Sequence, residues 1–239
     1  MESSINYKDL KGFLSKHSAK TIRKESNVSP THTRIPDKEL NIYGGSYIIP
    51  DEEKALFMDL YHSHVFKNKN HEYLTEKQLS GNGGILVDLD FRYSHDVEER
   101  QHTKEHVTDL ISILYLENLK NMLVFEKCKQ FPVYIFEKPD VNRLSDGSLT
   151  KDGIHMIIGI QMDHIMQLML REKIVENIGD YWDMPIINSW DAVLDEGISK
   201  GTTNWQMYGS RKPGNQAYEL TQYYMITYGE DGEFEMEEH

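Results

Sequence analysis

Two aspartates lie close together in the otherwise apolar run Ile85-Leu86-Val87-Asp88-Leu89-Asp90-Phe91. Because side chains alternate along a strand, Asp88 and Asp90 project to one face and their nearest neighbours to the other. Two carboxylates held so close repel each other unless a cation lies between them or one is protonated. They offer the hard oxygen ligands that a pair of Mg²⁺ or Mn²⁺ ions needs in phosphoryl transfer. The alternative is an acidic strand face that is simply solvated.

A second polar segment, Lys151-Asp152-Gly153, leads into the apolar run Ile154-His155-Met156-Ile157-Ile158. A ring N–H of His155 could donate to a phosphate oxygen, and Lys151 supplies a mobile positive charge nearby. Gly153 would let a nucleotide or another backbone approach closely. The alternative for His155 is a structural histidine at a sheet edge whose hydrogen bonds are satisfied.

The third segment is Asn204-Trp205-Gln206-Met207-Tyr208-Gly209-Ser210-Arg211-Lys212-Pro213. A strand that ends in a Gly-Ser turn, followed by two cations, could offer backbone N–H groups, a hydroxyl and positive charge to an anion. The chain contains no Gly followed five residues later by Gly-Lys-Ser or Gly-Lys-Thr. A P-loop nucleotide-binding module is therefore excluded.

Together these segments resemble the archaeo-eukaryotic primase superfamily, most closely the primase-polymerase domain at the front of the primase-helicases of large DNA viruses. In that family an apolar strand ends in Asp-x-Asp or Asp-x-Glu, a second strand carries Ser-x-His, and a third acid precedes a segment ending in Ser-x-Lys. The matching segments here are Asp88-Leu89-Asp90, Gly153-Ile154-His155 and Ser210-Arg211-Lys212. The third acid is assigned to Asp195, with Asp191 as the runner-up. The resemblance covers roughly residues 32–228.

The resemblance implies template-directed nucleotidyl transfer, a DNA primase or polymerase activity. Asp88, Asp90 and Asp195 would hold two divalent ions, Mg²⁺ or Mn²⁺. The residues expected to contact the nucleotide are Lys151, Gly153, His155, Ser210, Lys212 and Arg92. The implied partners are a single-stranded DNA template, nucleoside triphosphates and a hexameric helicase portion of the same longer polypeptide, with no membrane. The implied location is a viral replication site in the host cytoplasm, or the nucleus.

Two residues depart from the family pattern. Gly153 replaces the usual serine, which removes a hydroxyl from the nucleotide pocket. Gln206 stands where cellular primase-polymerases often carry arginine, which weakens the positive charge there. The implied fold is that of an archaeo-eukaryotic primase, an N-terminal α/β portion packed on a catalytic portion built like an RNA-recognition-motif sheet.

Three different functions compete with this interpretation. The first is an inverted zinc peptidase, because His102-Thr103-Lys104-Glu105-His106 matches the His-x-x-Glu-His pattern of that class. If Thr103 caps the helix, however, His102 lies outside it and cannot share a face with His106. The second is a binding module that recruits single-stranded DNA or a helicase. The third is a metal-dependent nuclease that uses the same carboxylates.

Hydrophobic spacing predicts the elements that must position these residues. A helix is predicted over Asp51–Phe66, a second from the cap Thr103, and a third from the cap Asp163 through Ile178. The predicted strands are Ile85–Phe91, Val133–Glu137, Ile154–Ile160, Trp205–Tyr208 and Tyr218–Tyr228, with turns at Gly81–Gly84 and Gly209–Gly214. The crossovers vary too much in length for a doubly wound sheet, so the predicted class is α+β.

The composition is that of a globular chain of 239 residues, with 38% hydrophobic and 27% charged residues. The net charge of −13 argues against polyanion binding, but residues 1–38 carry eight Lys/Arg against four Asp/Glu. The one cysteine rules out an internal disulfide, and the absence of a long apolar run rules out a membrane span and a classical signal. We expect a polar, partly flexible arm over 1–35, a single domain over 36–228 and an acidic tail over 229–239.

Overall fold

The computed structural model describes residues 7–22, 28–81 and 83–239. Their contacts divide the chain into two units, one of Met1–Lys77 with Asn204–Ala217 and one of Gln78–Thr203 with Tyr218–His239. The helices are α1 Leu10–Lys16, α2 Ala19–Ile22, α3 Lys54–His62, α4 Lys104–Asp109, α5 Glu117–Met122, α6 His164–Tyr181, α7 Trp190–Val193 and α8 Glu196–Ser199. The strands are β1 His32–Arg34, β2 Gly45–Tyr47, β3 Leu74–Glu76, β4 Gly84–Tyr93, β5 Gln130–Glu137, β6 Asn142–Arg143, β7 Thr150–Gln161, β8 Trp205–Gln206, β9 Glu219–Tyr228 and β10 Phe234–Glu238.

The first unit is built on a four-stranded sheet of order β2-β1-β3-β8, in which every pair is antiparallel. A 3₁₀ turn leads into α3, and a π-helical segment continues it through Lys67, so the predicted helix over Asp51–Phe66 is confirmed. The core of this unit joins apolar side chains from α1, α3, the sheet and the returning segment. Its buried members are Leu10, Phe13, Leu14, Tyr47, Ile49, Phe57, Tyr61, Val65, Leu74 and Met207.

The second unit contains an antiparallel sheet of order β10-β9-β5-β7-β4, with β6 paired to β7. Alternation along β4 is strict from Ile85 to Tyr93: every second side chain is buried in the core. The helical segment that runs from α4 through a π-helical stretch to α5, and the helix α6, contribute apolar side chains to the same core. The sheet thus has one face covered by helices and one face on which polar side chains lie.

Both predicted helix caps in this unit are confirmed. The Thr103 side chain accepts a hydrogen bond from the His106 N–H at the start of α4. The Asp163 side chain accepts one from the Met166 N–H, and α6 continues to Tyr181, slightly beyond the predicted end. Such caps satisfy backbone donors that the first turn leaves without partners. Both units are mixed helix and antiparallel sheet, in agreement with the α+β class.

The ends of the fold differ from the sequence prediction. Residues 229–239, expected as a solvated tail, contain β10, which pairs with β9 because Phe234 and Met236 alternate with acids and pack on the core. In the expected arm of residues 1–35, Leu10, Phe13 and Leu14 of α1 are buried; residues 1–6 and 23–27 lie outside the described residues. The contacts divide the chain into two units, and the single domain expected over 36–228 stays a prediction.

Two local predictions also need adjustment. The strand predicted over Trp205–Tyr208 is shorter, since only Trp205–Gln206 is extended before the turn at Gly209, whose φ of 85° favours glycine. Within the predicted Gly81–Gly84 turn, Asn82 lies outside the described residues. Among the helices of the described ranges, none is long and apolar enough to span a membrane.

Candidate active site

The pairing of β4 with β7 places six predicted site positions on the polar face of the second unit's sheet. In the antiparallel register Asp88 lies opposite His155, Asp90 opposite Gly153, and Arg92 opposite Lys151. Directly opposed residues share a face, with Cβ atoms about 4.5–5.5 Å apart. The sheet therefore presents three successive rows: an acid with a histidine, an acid with a glycine, and two cations.

The charged side chains of these rows are within electrostatic reach of each other. His155 Nε2 lies 3.5 Å from Asp88 Oδ1, and Arg92 Nη2 lies 3.7 Å from Asp90 Oδ2. The Asp88 side chain is 21% exposed and that of Asp90 44% exposed, so both carboxylates remain accessible to a ligand from solvent. The imidazole, by contrast, is only 10% exposed.

An aromatic residue that the sequence prediction did not single out fixes the histidine ring. Tyr218, directly before β9, stacks on His155 with ring centroids 3.6 Å apart and an interplanar angle of 18°. Lys138 Nζ lies 4.9 Å from the centre of the same tyrosine ring. Burial raises the pKa of Tyr218 well above its ordinary value, and the negative charges of Asp88 and Asp90 raise it further. The hydroxyl is therefore neutral and able to donate a hydrogen bond.

The glycine at position 153 is required by close packing. A Cβ built there would lie 2.6 Å from the Leu89 carbonyl oxygen and 2.8 Å from the Tyr218 hydroxyl. Both distances are shorter than Cβ atoms tolerate, so a serine at this position would collide with backbone. Gly153 departs from the family pattern, and the Tyr218 hydroxyl lies in the space that a serine side chain would need there.

The backbone of Asp195 is joined to the strand of the paired acids. Its N–H donates to the Asp88 carbonyl at 2.9 Å, and Leu194 forms an isolated β-bridge with Leu89. The Asp195 side chain caps α8, with Oδ1 accepting from the Ile198 N–H. The carboxylate of the runner-up, Asp191, accepts instead from Arg171. Of the two candidates, Asp195 is therefore the one tied directly to Asp88.

Comparison with protein families adds independent evidence to this geometry. Residues 36–224 match the family model described as the C962R protein N-terminal AEP domain, AEP denoting archaeo-eukaryotic primase. The chain belongs to this family. The resemblance seen in the motifs is thus confirmed, and at a coarse level the family is one of primase-like and polymerase-like nucleotidyl transfer. No curated protein matches this AEP domain.

Divalent metal ions are typical of AEP domains, and the donor set here fits them in part. Asp88 and Asp90 supply adjacent carboxylate oxygens, the ligand type that Mg²⁺ and Mn²⁺ prefer. Within residues 7–22, 28–81 and 83–239, no three His, Cys, Asp or Glu side chains come close enough together to hold a metal ion. The Asp195 carboxylate is thus not gathered with the other two.

Two of the predicted nucleotide contacts of the AEP domain belong to the first unit. Ser210 is only 1% exposed, and its hydroxyl is hydrogen-bonded to the Tyr61 hydroxyl at 2.8 Å and to the Leu74 N–H at 3.1 Å. Lys212 is exposed. The serine thus joins the returning segment to α3 and β3, and its hydroxyl is engaged there.

On the other face of β4 and β7 lies a charged cluster that sequence reasoning missed. Arg100 Nε donates to Asp152 Oδ2 at 2.9 Å, and His102 Nε2 lies 2.6 Å from Glu137 Oε1. Burial opposes ionisation of Glu137, but hydrogen bonds from His102 and Thr221, with the nearby positive charge, lower its pKa to about 2. The cluster is anchored directly before Gly153 on β7, through Asp152.

This cluster also bears on the zinc-peptidase alternative. Thr103 caps α4, so His102 lies outside the helix, where it contacts Glu137. His106 Nδ1 accepts from the Thr103 N–H as part of the same cap. The two histidines therefore do not share a helix face, and the spacing that a His-x-x-Glu-His zinc site requires is not formed.

Proposed function

We propose that this AEP domain is a template-directed nucleotidyl transferase that starts or extends primers on single-stranded DNA. The observation that carries the proposal is the register of β4 with β7, which sets two accessible carboxylates, a histidine and two cations in consecutive rows of one sheet face. Transfer of a nucleotide from a triphosphate needs acidic side chains that bind metal cations and, beside them, hydrogen-bond donors that bind the phosphates.

Asp88 and Asp90 would hold the divalent ions, and triphosphate oxygens and water would complete the coordination, as is usual for Mg²⁺ bound by one or two carboxylates. When bound, such ions lower the pKa of the attacking 3′-hydroxyl and offset charge on the phosphates. We assign Asp195 as the third acid, since Oδ2 makes no hydrogen bond within the described residues while Oδ1 caps α8.

In this proposal the phosphates bind to His155, Lys151 and Arg92, which lie on one face of the second unit's sheet. The assignment of Lys212 remains a prediction from the family motif. The imidazole of His155 is held by stacking on Tyr218, so its ring N–H has a fixed direction in which to donate. Lys151 and Arg92 face each other across the strand pair, one row beyond Gly153. Ser210 stays outside this set because its hydroxyl is already bonded to Tyr61 and Leu74.

The partners and surroundings follow from family membership. A single-stranded DNA template, nucleoside triphosphates and a helicase portion of a longer polypeptide are the partners we propose, in the replication of a large DNA virus. The polar sheet face would act like the exposed face of an RNA-recognition motif, since the antiparallel strands carry the chemistry and the helices cover the opposite side.

The test is synthesis on a labelled single-stranded template with nucleoside triphosphates and Mg²⁺ or Mn²⁺. Asp88→Asn keeps the shape of the side chain but removes the charge, and we expect it to lower primer synthesis or extension by about 100-fold or more. The matched control is Asp180→Asn, the same change at an exposed position on α6 of the same unit. Unchanged synthesis by Asp88→Asn would contradict the assignment.

Two further readouts separate the competing functions. Shortening of the template would indicate a nuclease, and binding without synthesis or cleavage would indicate a non-catalytic module. Mn²⁺ should raise the thermal midpoint of the wild type but not that of a variant with Asp88→Asn and Asp90→Asn together, because a ligand stabilises only the form that binds it.

A further inference from the structure

The first unit contains a wide groove whose lining differs from the rest of this acidic protein. Its volume is about 1460 Å³, larger than the roughly 300–1,000 Å³ of pockets that enclose a small molecule. The lining comes from α1, α2, the β1–β2 hairpin and the loop before β3. All of these residues belong to the first unit, and none is among the catalytic candidates.

Positive charge in the groove is not balanced by acids. Lys11, Lys20 and Lys69 line it, all three are exposed, and none forms an ion pair within the described ranges. The one acid among the described lining residues is Glu72, and the Arg34 guanidinium donates to both of its oxygens, at 2.8 and 2.7 Å. The pair cancels its own charge and leaves the three lysines as the excess.

The size of the groove favours an extended anion over a compact one. Each lysine stands on a different segment: Lys11 on α1, Lys20 on α2, and Lys69 in the loop that follows α3 and its π-helical extension. A groove of about 1460 Å³ is much larger than a single phosphate requires and has room for several linked phosphates. In a protein of net charge −13, such a local excess of positive charge favours an anionic partner at this groove.

An exposed aromatic ring completes the lining. Tyr43, in the β1–β2 hairpin, is 83% exposed and lines the groove beside Gly44 and Gly45. Its ring stacks on no other aromatic side chain of the described ranges. Grooves that hold single strands combine basic side chains for the backbone with aromatic rings on which bases stack. An acidic peptide would use the lysines but would gain little from the tyrosine.

From these observations we infer that the groove binds single-stranded nucleic acid, with phosphates on Lys11, Lys20 and Lys69 and a base stacked on Tyr43. This is a second nucleic-acid surface, formed by residues other than those of the β4–β7 face. The inference extends the proposed function, whose template is of the same class, but it does not depend on metal binding or catalysis by Asp88 and Asp90.

The experiment measures binding of a fluorescein-labelled oligothymidylate by anisotropy, without divalent metal and at several salt concentrations. For the double variant Lys11→Gln, Lys69→Gln, we expect affinity to fall about 25-fold near 0.1 M salt and the slope of log K against log salt to decrease by about 1.4, from about 0.7 per phosphate contact. The control Lys16→Gln, Lys77→Gln makes the same charge change at exposed positions of the same unit outside the groove. Equal affinities for the two double variants would overturn the inference.

The nature of the anion is tested by Tyr43→Ala and by competition. The variant should bind oligothymidylate about tenfold more weakly, the range expected for loss of one base-stacking ring, and should bind a polyglutamate as the wild type does. Polyglutamate that displaces oligothymidylate as well as unlabelled oligothymidylate does would overturn the assignment to nucleic acid. Oligothymidylate binding is measured without divalent metal, whereas synthesis requires it, so failure of the groove and failure of catalysis give different results.

Discussion

Gly153, which has no Cβ, lies between the paired acids and the histidine that faces them. Gly153 lies opposite Asp90 in the sheet and two residues before His155. The sequence predicts that this glycine lets a nucleotide or another backbone approach closely, and it also shows the loss of a family serine. In the structure the space that a side chain would need is taken by the Leu89 carbonyl and by the hydroxyl of Tyr218, whose ring stacks on His155. The absence of a side chain at Gly153 therefore makes room for the Tyr218 hydroxyl.

Gly153→Ala tests this packing. Because the added methyl group collides with backbone that cannot move freely, we expect the free energy of unfolding to fall by about 1–3 kcal/mol, measured by urea denaturation. Gly12→Ala on α1 is the matched control, since its Cβ meets only the Asp9 carboxylate oxygen at an ordinary 3.4 Å, and alanine favours a helix. Equal stability of Gly153→Ala and the wild type would contradict this prediction, because it would show that β4 and β7 can move apart enough to accommodate the methyl group.

Strands and helices of this AEP domain were predictable where local signals and packing agree. Alternation gave β4, and the capping residues Thr103 and Asp163 gave the starts of two helices. β10 was missed because its acids dominate its composition, although Phe234 and Met236 alternate with them. The paired acids and His155 were found as motifs, whereas Tyr218 was not, since its stacking partner lies far away along the chain and nothing in its spacing marks it.

The buried cluster behind β7 was also not predicted, because it joins residues from three separate segments. Its members, Arg100, His102, Glu137 and Asp152, lie at the end of the core where apolar alternation gives way to charge. Buried charges of this kind are stable only when each one is paired. By fixing Asp152, the cluster fixes the start of the strand that carries Gly153 and His155.

Low pH should destabilise the fold by protonating Glu137 of this cluster. Its pKa is about 2 in the folded state, below the ordinary 4.5, so its ionised form stabilises the fold above pH 4.5 and that contribution is lost as the pH falls toward 2. Glu137→Gln should therefore be less stable than the wild type at pH 7. We expect the difference to shrink by about 2 kcal/mol between pH 5 and pH 3, measured by urea denaturation. A difference independent of pH would contradict the pairing.

At the scale of the whole molecule, the chain builds each unit from segments far apart in sequence. The first unit needs Asn204–Ala217, and β8 within this segment pairs with β3. Ser210 is one of several polar links between this segment and the rest of the unit, through Tyr61 and Leu74. The same serine occupies the place of the family's Ser-x-Lys motif. Its hydroxyl could therefore either hold the unit together or contact a nucleotide.

Ser210→Ala distinguishes these roles. Loss of the hydroxyl leaves the buried Leu74 N–H without its partner, and we expect the free energy of unfolding to drop by about 1–3 kcal/mol while the KM for nucleotide stays unchanged. Chemical denaturation and steady-state kinetics of the same preparation give both quantities. A raised KM at unaltered stability would instead assign the hydroxyl to the nucleotide.

The interleaved connectivity has a consequence for synthesis on the ribosome. The second unit's sheet contains β9 between β5 and β10, and both β9 and β10 lie in the last part of the chain. During translation β5 has an open edge until those strands emerge, and the first unit waits for β8. Neither sheet is complete before β8 and β9 have been synthesised, so the nascent chain carries unpaired strand edges, which attract other chains, until those strands emerge.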